Sequence, residues 1–132
     1  MNIEPVSFTV NVVGDTTGTE YVGLFKVKPV LNTTEQIARD AVMRDIIGPN
    51  PQEASPRAKS QAYILAEIRI RAIEAPAFWT GARDGGGLFD ENVMGAVYDK
   101  IQDVEKQWRA DVKKKADEAR EALKKLDPLY SK

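Results

Sequence analysis

The amino-acid sequence predicts an α+β fold that is mainly α: an N-terminal β-hairpin followed by three helices, the last long and partly projecting. Three observations carry this prediction. Val6 to Val13 alternates apolar and polar residues with a period of two, the mark of a half-buried strand. Two later segments open on helix-capping residues and close on glycine or proline. From Met94 to Leu126, apolar residues recur at steps of three and four, as on one face of a helix.

In the first strand Phe8, Val10 and Val12 share one face, with Ser7, Thr9 and Asn11 on the other. Gly14-Asp15-Thr16-Thr17-Gly18 supplies turn chemistry. A second apolar run from Tyr21 to Val30 completes the hairpin, with Leu24 following a glycine that can bulge the strand. A lone hairpin is marginal in water. Its apolar face must therefore lie on the helices or pair with a strand of another subunit.

Asn32-Thr33-Thr34-Glu35-Gln36 starts the first helix, with Thr33 read as the cap and Gln36 completing a capping box. It runs to about Ile47, burying either Ile37, Ala41 and the stem of Arg44 or Met43 and Ile47, and Gly48-Pro49 ends it. Ser55-Pro56 caps the second helix, predicted to run to about Glu74. Ser60, Glu67, Arg71 and Glu74 fall at helical spacing and read as one solvated stripe, while most of Ala62 to Ile73 is apolar. This helix is the predicted centre of the core.

Pro76 ends that helix and opens a loop in which Phe78-Trp79 and Leu88-Phe89 bracket a glycine-rich bend. Asp90 is the predicted cap of the third helix, with Glu91 complementing its dipole. Met94, Val97, Ile101, Val104 and Trp108 step along one face, and the pattern resumes one residue late at Val112, Ala116, Ala119, Leu123 and Leu126. Such a slip is a stutter in a heptad repeat. Residues 1–109 are read as a hairpin-plus-helical core, and 110–132 as a charged helical arm with a short tail, ended by Asp127-Pro128 and not folding independently.

The 132 residues suffice for one domain with a modest core. A net charge of -1 speaks against a dedicated nucleic-acid binder, and Lys113-Lys114-Lys115 reads as a solvated face. The chain has no cysteine and no histidine. Disulfides, thiolate metal sites and Ser-His or Cys-His nucleophilic machinery are thereby excluded. The first residues lack the basic start and apolar run of a signal peptide, and no stretch approaches the roughly 20 apolar residues of a membrane span.

Gly85-Gly86-Gly87 is not followed by Lys-Ser/Thr, so a flexible bend is a better reading than a phosphate cradle. Asp84, Asp90 and Glu91 lack the alternating spacing of a calcium loop. No cofactor or metal is expected. The candidate partner-binding residues are Phe78, Trp79, Leu88 and Phe89 in the loop and Val93, Val97, Ile101 and Trp108 on the last helix. Against this stands the plainer alternative that they plug the domain's own core. If the loop serves a partner, Trp79→Ala should weaken binding more than it lowers the melting temperature.

The hairpin from Phe8 to Pro29, the later Ala75-Pro-Ala-Phe-Trp79, Gly86-Gly-Leu-Phe-Asp90 and Glu91-Asn-Val-Met-Gly-Ala-Val-Tyr98, in that order and spacing, resemble tail assembly chaperones of long-tailed bacteriophages. The likeness covers most of Val6 to Tyr98; the charged arm after it is generic. Phe78-Trp79, Leu88-Phe89-Asp90 and Asn92-Val93 match recurrent features of that family. Phe78 stands beside Trp79 where the family often has a second tryptophan.

The resemblance implies a non-enzymatic protein of the bacterial host cytoplasm during infection, absent from the mature virion. Its implied partners are the tape measure protein, kept from aggregating until the tail tube polymerises, and secondarily the tail tube protein. Self-association is also expected, with neither nucleic acid nor membrane involved. The alternatives are a structural virion protein, such as a head-tail connector or tail component, and a coiled-coil adaptor.

Overall fold

The computed structural model describes residues 3–126; the predicted Asp127-Pro128 stop and Leu129-Tyr130 tail lie outside them. Strands β1 (Val6–Val13) and β2 (Glu20–Val27) form the hairpin, followed by helices α1 (Thr33–Ile47) and α2 (Pro56–Arg71). A short strand β3 (Ala72–Glu74) and a single helical turn α3 (Ala77–Thr80) lead to α4 (Glu91–Leu126). The fold is α+β, mainly α, with an N-terminal antiparallel sheet and a long final helix.

The strands pair in the order β1-β2-β3. Val6, Phe8, Val10 and Val12 lie opposite Val27, Phe25, Gly23 and Tyr21, so the inner face is continuous across the hairpin. Gly23 therefore does not bulge the strand. It faces inward beneath the ring of Pro76, where an added Cβ would sit 2.3 Å from the proline Cβ. Val22 and Leu24, which that regular register turns outward, are exposed together with Val13.

The second helix ends three residues sooner than its composition suggests. Ala72–Glu74 pairs antiparallel with β2 instead, and the Lys28 amide donates to the Arg71 carbonyl. Pro76 disfavours helical backbone just before it, and β-branched Ile73 suits a strand. The start of α1 differs by one residue. Asn32, not Thr33, is the cap; its side chain accepts from the Glu35 amide at 2.9 Å and Glu35 returns a bond to the Asn32 amide at 3.0 Å. Ser55 caps α2 as predicted, accepting from the Ala58 amide.

The core lies between the inner face of the sheet and helices α2 and α4. Val10, Phe25 and Val27 meet Leu65, Ile68, Trp79, Val97 and Ile101 there. Helix α1 packs outside α2 on its Met43 and Ile47 side and contributes no fully buried residue; Ile37 is exposed. Continuous over 36 residues, α4 spans about 54 Å at ~1.5 Å per residue. Its first half crosses the sheet, and from Arg109 onward every described residue is exposed except half-buried Ala116. Val112, Leu123 and Leu126 keep their apolar stripe in solvent.

Two predicted surface residues prove to be interior. Glu67 and Arg71 are 2% and 4% exposed, because the polar side of α2 faces α1 and α4 rather than water. Arg71 pairs ionically with Glu67 at 3.2 Å and donates to Glu105 at 2.6 Å and to the Pro29 carbonyl at 3.0 Å, and Arg39 donates to Glu67 at 3.3 Å.

Candidate partner-binding site

The structure separates the predicted site residues into two groups. Trp79 is 1% exposed and meets Phe25 edge to face at 5.7 Å. Gly85 lies against its indole, where a Cβ would come within 2.2 Å of the ring. Phe78 is half-buried, edge-on to Tyr21 at 5.3 Å and to Phe25 at 6.1 Å. Val93, Val97 and Ile101 are fully buried on the inner side of α4. None of these four sealed residues (Trp79, Val93, Val97, Ile101) has surface to offer a partner; Trp79, Val97 and Ile101 pack with the inner face of the sheet, and Val93 is fully buried. The expectation that Trp79→Ala acts on binding before stability is reversed accordingly.

The other group stays accessible. Phe89 is 80% exposed, Leu88 is half-buried beside it, and Trp108 is half-buried where α4 leaves the domain. Of the predicted site residues, Phe89 thus presents the most surface to solvent.

The glycine-rich bend sets the position of Phe89. Arg83 and Asp84 adopt φ of 54° and 52°, followed by Gly85 at 88°. Left-handed backbone is costly for the first two, so something must hold it. Arg69 does: its Nη2 donates to the Arg83 carbonyl at 2.9 Å and its Nε to the Asp84 carbonyl at 3.1 Å. No local pattern pointed to Arg69, whose partners lie in a different element.

Beyond the bend, the chain is bolted to the hairpin turn. Asp90 was expected to cap α4 with its side chain, but its carboxylate turns instead to the β1–β2 turn. It accepts from the Thr16 and Thr17 amides at 2.7 and 2.8 Å, and from the Thr17 and Tyr21 hydroxyls at 2.6 Å each. Asn92 adds two bonds, accepting from the Asp15 amide and donating to the Val13 carbonyl. Gly14 leaves room for the carboxylate, which a Cβ there would strike at 2.1 Å. Successive turn amides converging on one carboxylate form an anion nest.

These donors, the Thr17 and Tyr21 hydroxyls foremost, hold the Asp90 carboxyl down at about 2 against the opposing effect of burial. A depressed carboxyl stabilises the fold above its ordinary value of 3.8 and loses that contribution as pH falls toward about 2. Asp90→Asn should therefore unfold at lower urea than the unsubstituted protein at pH 7. The gap should narrow as pH is lowered from about 4 to about 2. A gap that stays constant across this window would show that the carboxylate charge is not what the turn recognises.

Between these anchors lies a groove of about 440 Å³. Its walls are Ile46 and Ile47 of α1, Ala58, Ala62 and Leu65 of α2, Leu88 and Phe89 of the loop, and Met94 of α4. Glu91 bonds Arg57 at 2.6 Å and Gln61 at 2.8 Å, joining α2 to α4 at its polar edge. Gln61 and Arg57 draw the Glu91 carboxyl below its ordinary range. The groove is therefore mixed, with apolar walls beside the polar groups of Gln61, Asp90 and Glu91. Its residues come from four elements, which is why no stretch of sequence announced it. Among the described residues no cluster of three or more acidic side chains could hold a metal ion, and no helix is long and apolar enough to cross a membrane.

Comparison with protein-family profiles, with curated proteins and with solved structures yielded no match.

Proposed function

We propose that this chain is a non-enzymatic phage tail assembly chaperone, a holdase that binds the tape measure protein and keeps it from aggregating until the tail tube assembles. The observation that supports the reading is the groove with Phe89 at its edge, whose apolar walls come from α1, α2, the loop and α4 and stay uncovered. The ordered motifs resembling that family give the client its identity. The apolar stripe on the projecting half of α4 offers a second surface for helical segments.

Co-expression with the tape measure protein of the same phage should keep that protein in the soluble fraction and recover the two together; insolubility without co-purification would dispose of the reading. Phe89→Ser should leave the unfolding temperature unchanged, because the ring is 80% exposed, while weakening client binding roughly tenfold or more. Unchanged binding would remove Phe89 from the contact. Mass spectrometry of purified particles separates the chaperone, expected to be missing, from a connector or tail component, expected to be present. The exposed stripe of α4 also favours a coiled-coil adaptor as a second reading, and an adaptor would ignore the tape measure protein.

A further inference from the structure

We infer that two copies of this chain pair through the free edge of β1, antiparallel about a two-fold axis at Thr9, joining their sheets into one of six strands. The argument begins with β1 as the outer strand of the sheet, eight residues long and in unbroken register with β2. The Gly14 amide donates to the Thr19 carbonyl at the hairpin end. Antiparallel bonding alternates residue by residue, so Val12, Val10, Phe8 and Val6 spend their backbone groups on β2. Ser7, Thr9 and Asn11 consequently turn theirs to the open edge. Asn92 takes the outward carbonyl of Val13 and thus closes one end of that row.

Proteins normally guard such an edge with charge, proline, a bulge or a covering element. From Val6 to Val13 there is no charged residue and no proline, and the pairing register has no irregularity. The occupant follows from self-complementarity. An axis at Thr9 sets Thr9 against Thr9 and Ser7 against Asn11 of the second copy, and outward-turned residues then meet outward-turned residues. All six backbone groups of Ser7, Thr9 and Asn11 in each copy find partners, giving six hydrogen bonds. On the inner side the same register sets Phe8 against Val10 and Val6 against Val12, covering Val6, which is 37% exposed in the monomer. No charge opposes another across the axis. A second copy matches the alternation and length of this edge by symmetry.

Sedimentation velocity on the full chain at about 100 μM should show a dimer. Thr9→Lys sets two ammonium groups against each other at the axis and should give a monomer with unchanged circular dichroism. A chain that is monomeric before substitution, or a dimer that survives Thr9→Lys, would overturn the inference. Leu123→Lys, on the arm, should leave the dimer intact; dissociation by that substitution would move the contact to α4. Because the protein has no cysteine, a single Thr9→Cys is a register probe that stands even if Thr9→Lys fails to fold. Paired residues lie ~5.5 Å apart between Cα atoms, within disulfide reach. Thr9→Cys should therefore oxidise to a covalent dimer, and Val22→Cys, one strand further from the axis, should not. Equal cross-linking of the two would reject the register. The inference does not depend on the chaperone reading, since none of these experiments involves a client.

Discussion

Trp79→Ala should cost about 3–5 kcal/mol of unfolding free energy, the range for truncating a large aromatic in a packed core. For a domain of this size that corresponds to a fall of roughly 10–20 °C in unfolding temperature. The indole is 1% exposed and edge-on to Phe25, so its removal empties the space between the hairpin and the loop. Gly85 makes the cost worse than area alone implies. Its backbone lies against the ring, and with φ at 88° it is held where a larger residue could not move in to fill the void. Gly85→Ala should therefore destabilise as well, by driving a methyl into the indole. Thermal and urea unfolding of both variants check this. A Trp79→Ala protein that melts within about 2 °C of the unsubstituted chain would put the indole back at an interface. The contrast with Phe89→Ser, expected to spare stability and harm binding, makes the pair informative together.

The two aromatics show how much of the site was legible in the sequence. Phe78, Trp79, Leu88 and Phe89 are equally apolar and sit on one loop, so composition could say that the loop packs on something but not which ring does the packing. The division is set by partners distant in the chain: Phe25 on the sheet takes Trp79, and Tyr21 takes Phe78. Local chemistry was read more reliably. Ser55-Pro56 and Gly48 terminate helices as expected, because a cap depends on residues within one turn of itself. Asn32 and Thr33 both have capping side chains with an acid or amide three residues on, so the sequence alone does not choose between them; the bond from the Glu35 amide to Asn32 does. The extra strand Ala72–Glu74 is too short to show a period, and it exists only because β2 offers it an edge. The stripe of Glu67 and Arg71 was misread for a related reason: helical spacing tells which residues share a face, not whether water or protein lies opposite.

That buried stripe yields the second large effect. Glu67→Ala should lower unfolding free energy by about 3–5 kcal/mol, since it strips a partner from Arg71, itself 4% exposed, and from Arg39. Arg71 would keep Glu105 and the Pro29 carbonyl but lose a compensating charge beside an interior guanidinium whose Nε already lacks a hydrogen-bond partner, and Arg39 would lose its hydrogen bond to Glu67. Replacing Glu67 and Arg71 together by methionine should cost far less than the single change, because an apolar pair of similar volume leaves less charge uncompensated. Denaturant unfolding of Glu67→Met, Arg71→Met and the double variant gives their coupling energy. Additive costs would mean that the two side chains do not act as a pair.

The effect should also be uneven across the molecule. Helix α1 has no fully buried residue, and the Arg39–Glu67 contact is a specific polar tie between it and α2. Without Glu67, α1 should open before the core does, and its backbone amides should exchange with solvent faster than those of α2. Ile46 and Ile47 of α1 form one wall of the groove, so that opening would release the surface beside Phe89. Exchange that accelerates equally in α1 and α2 would instead mean that the domain unfolds as one unit.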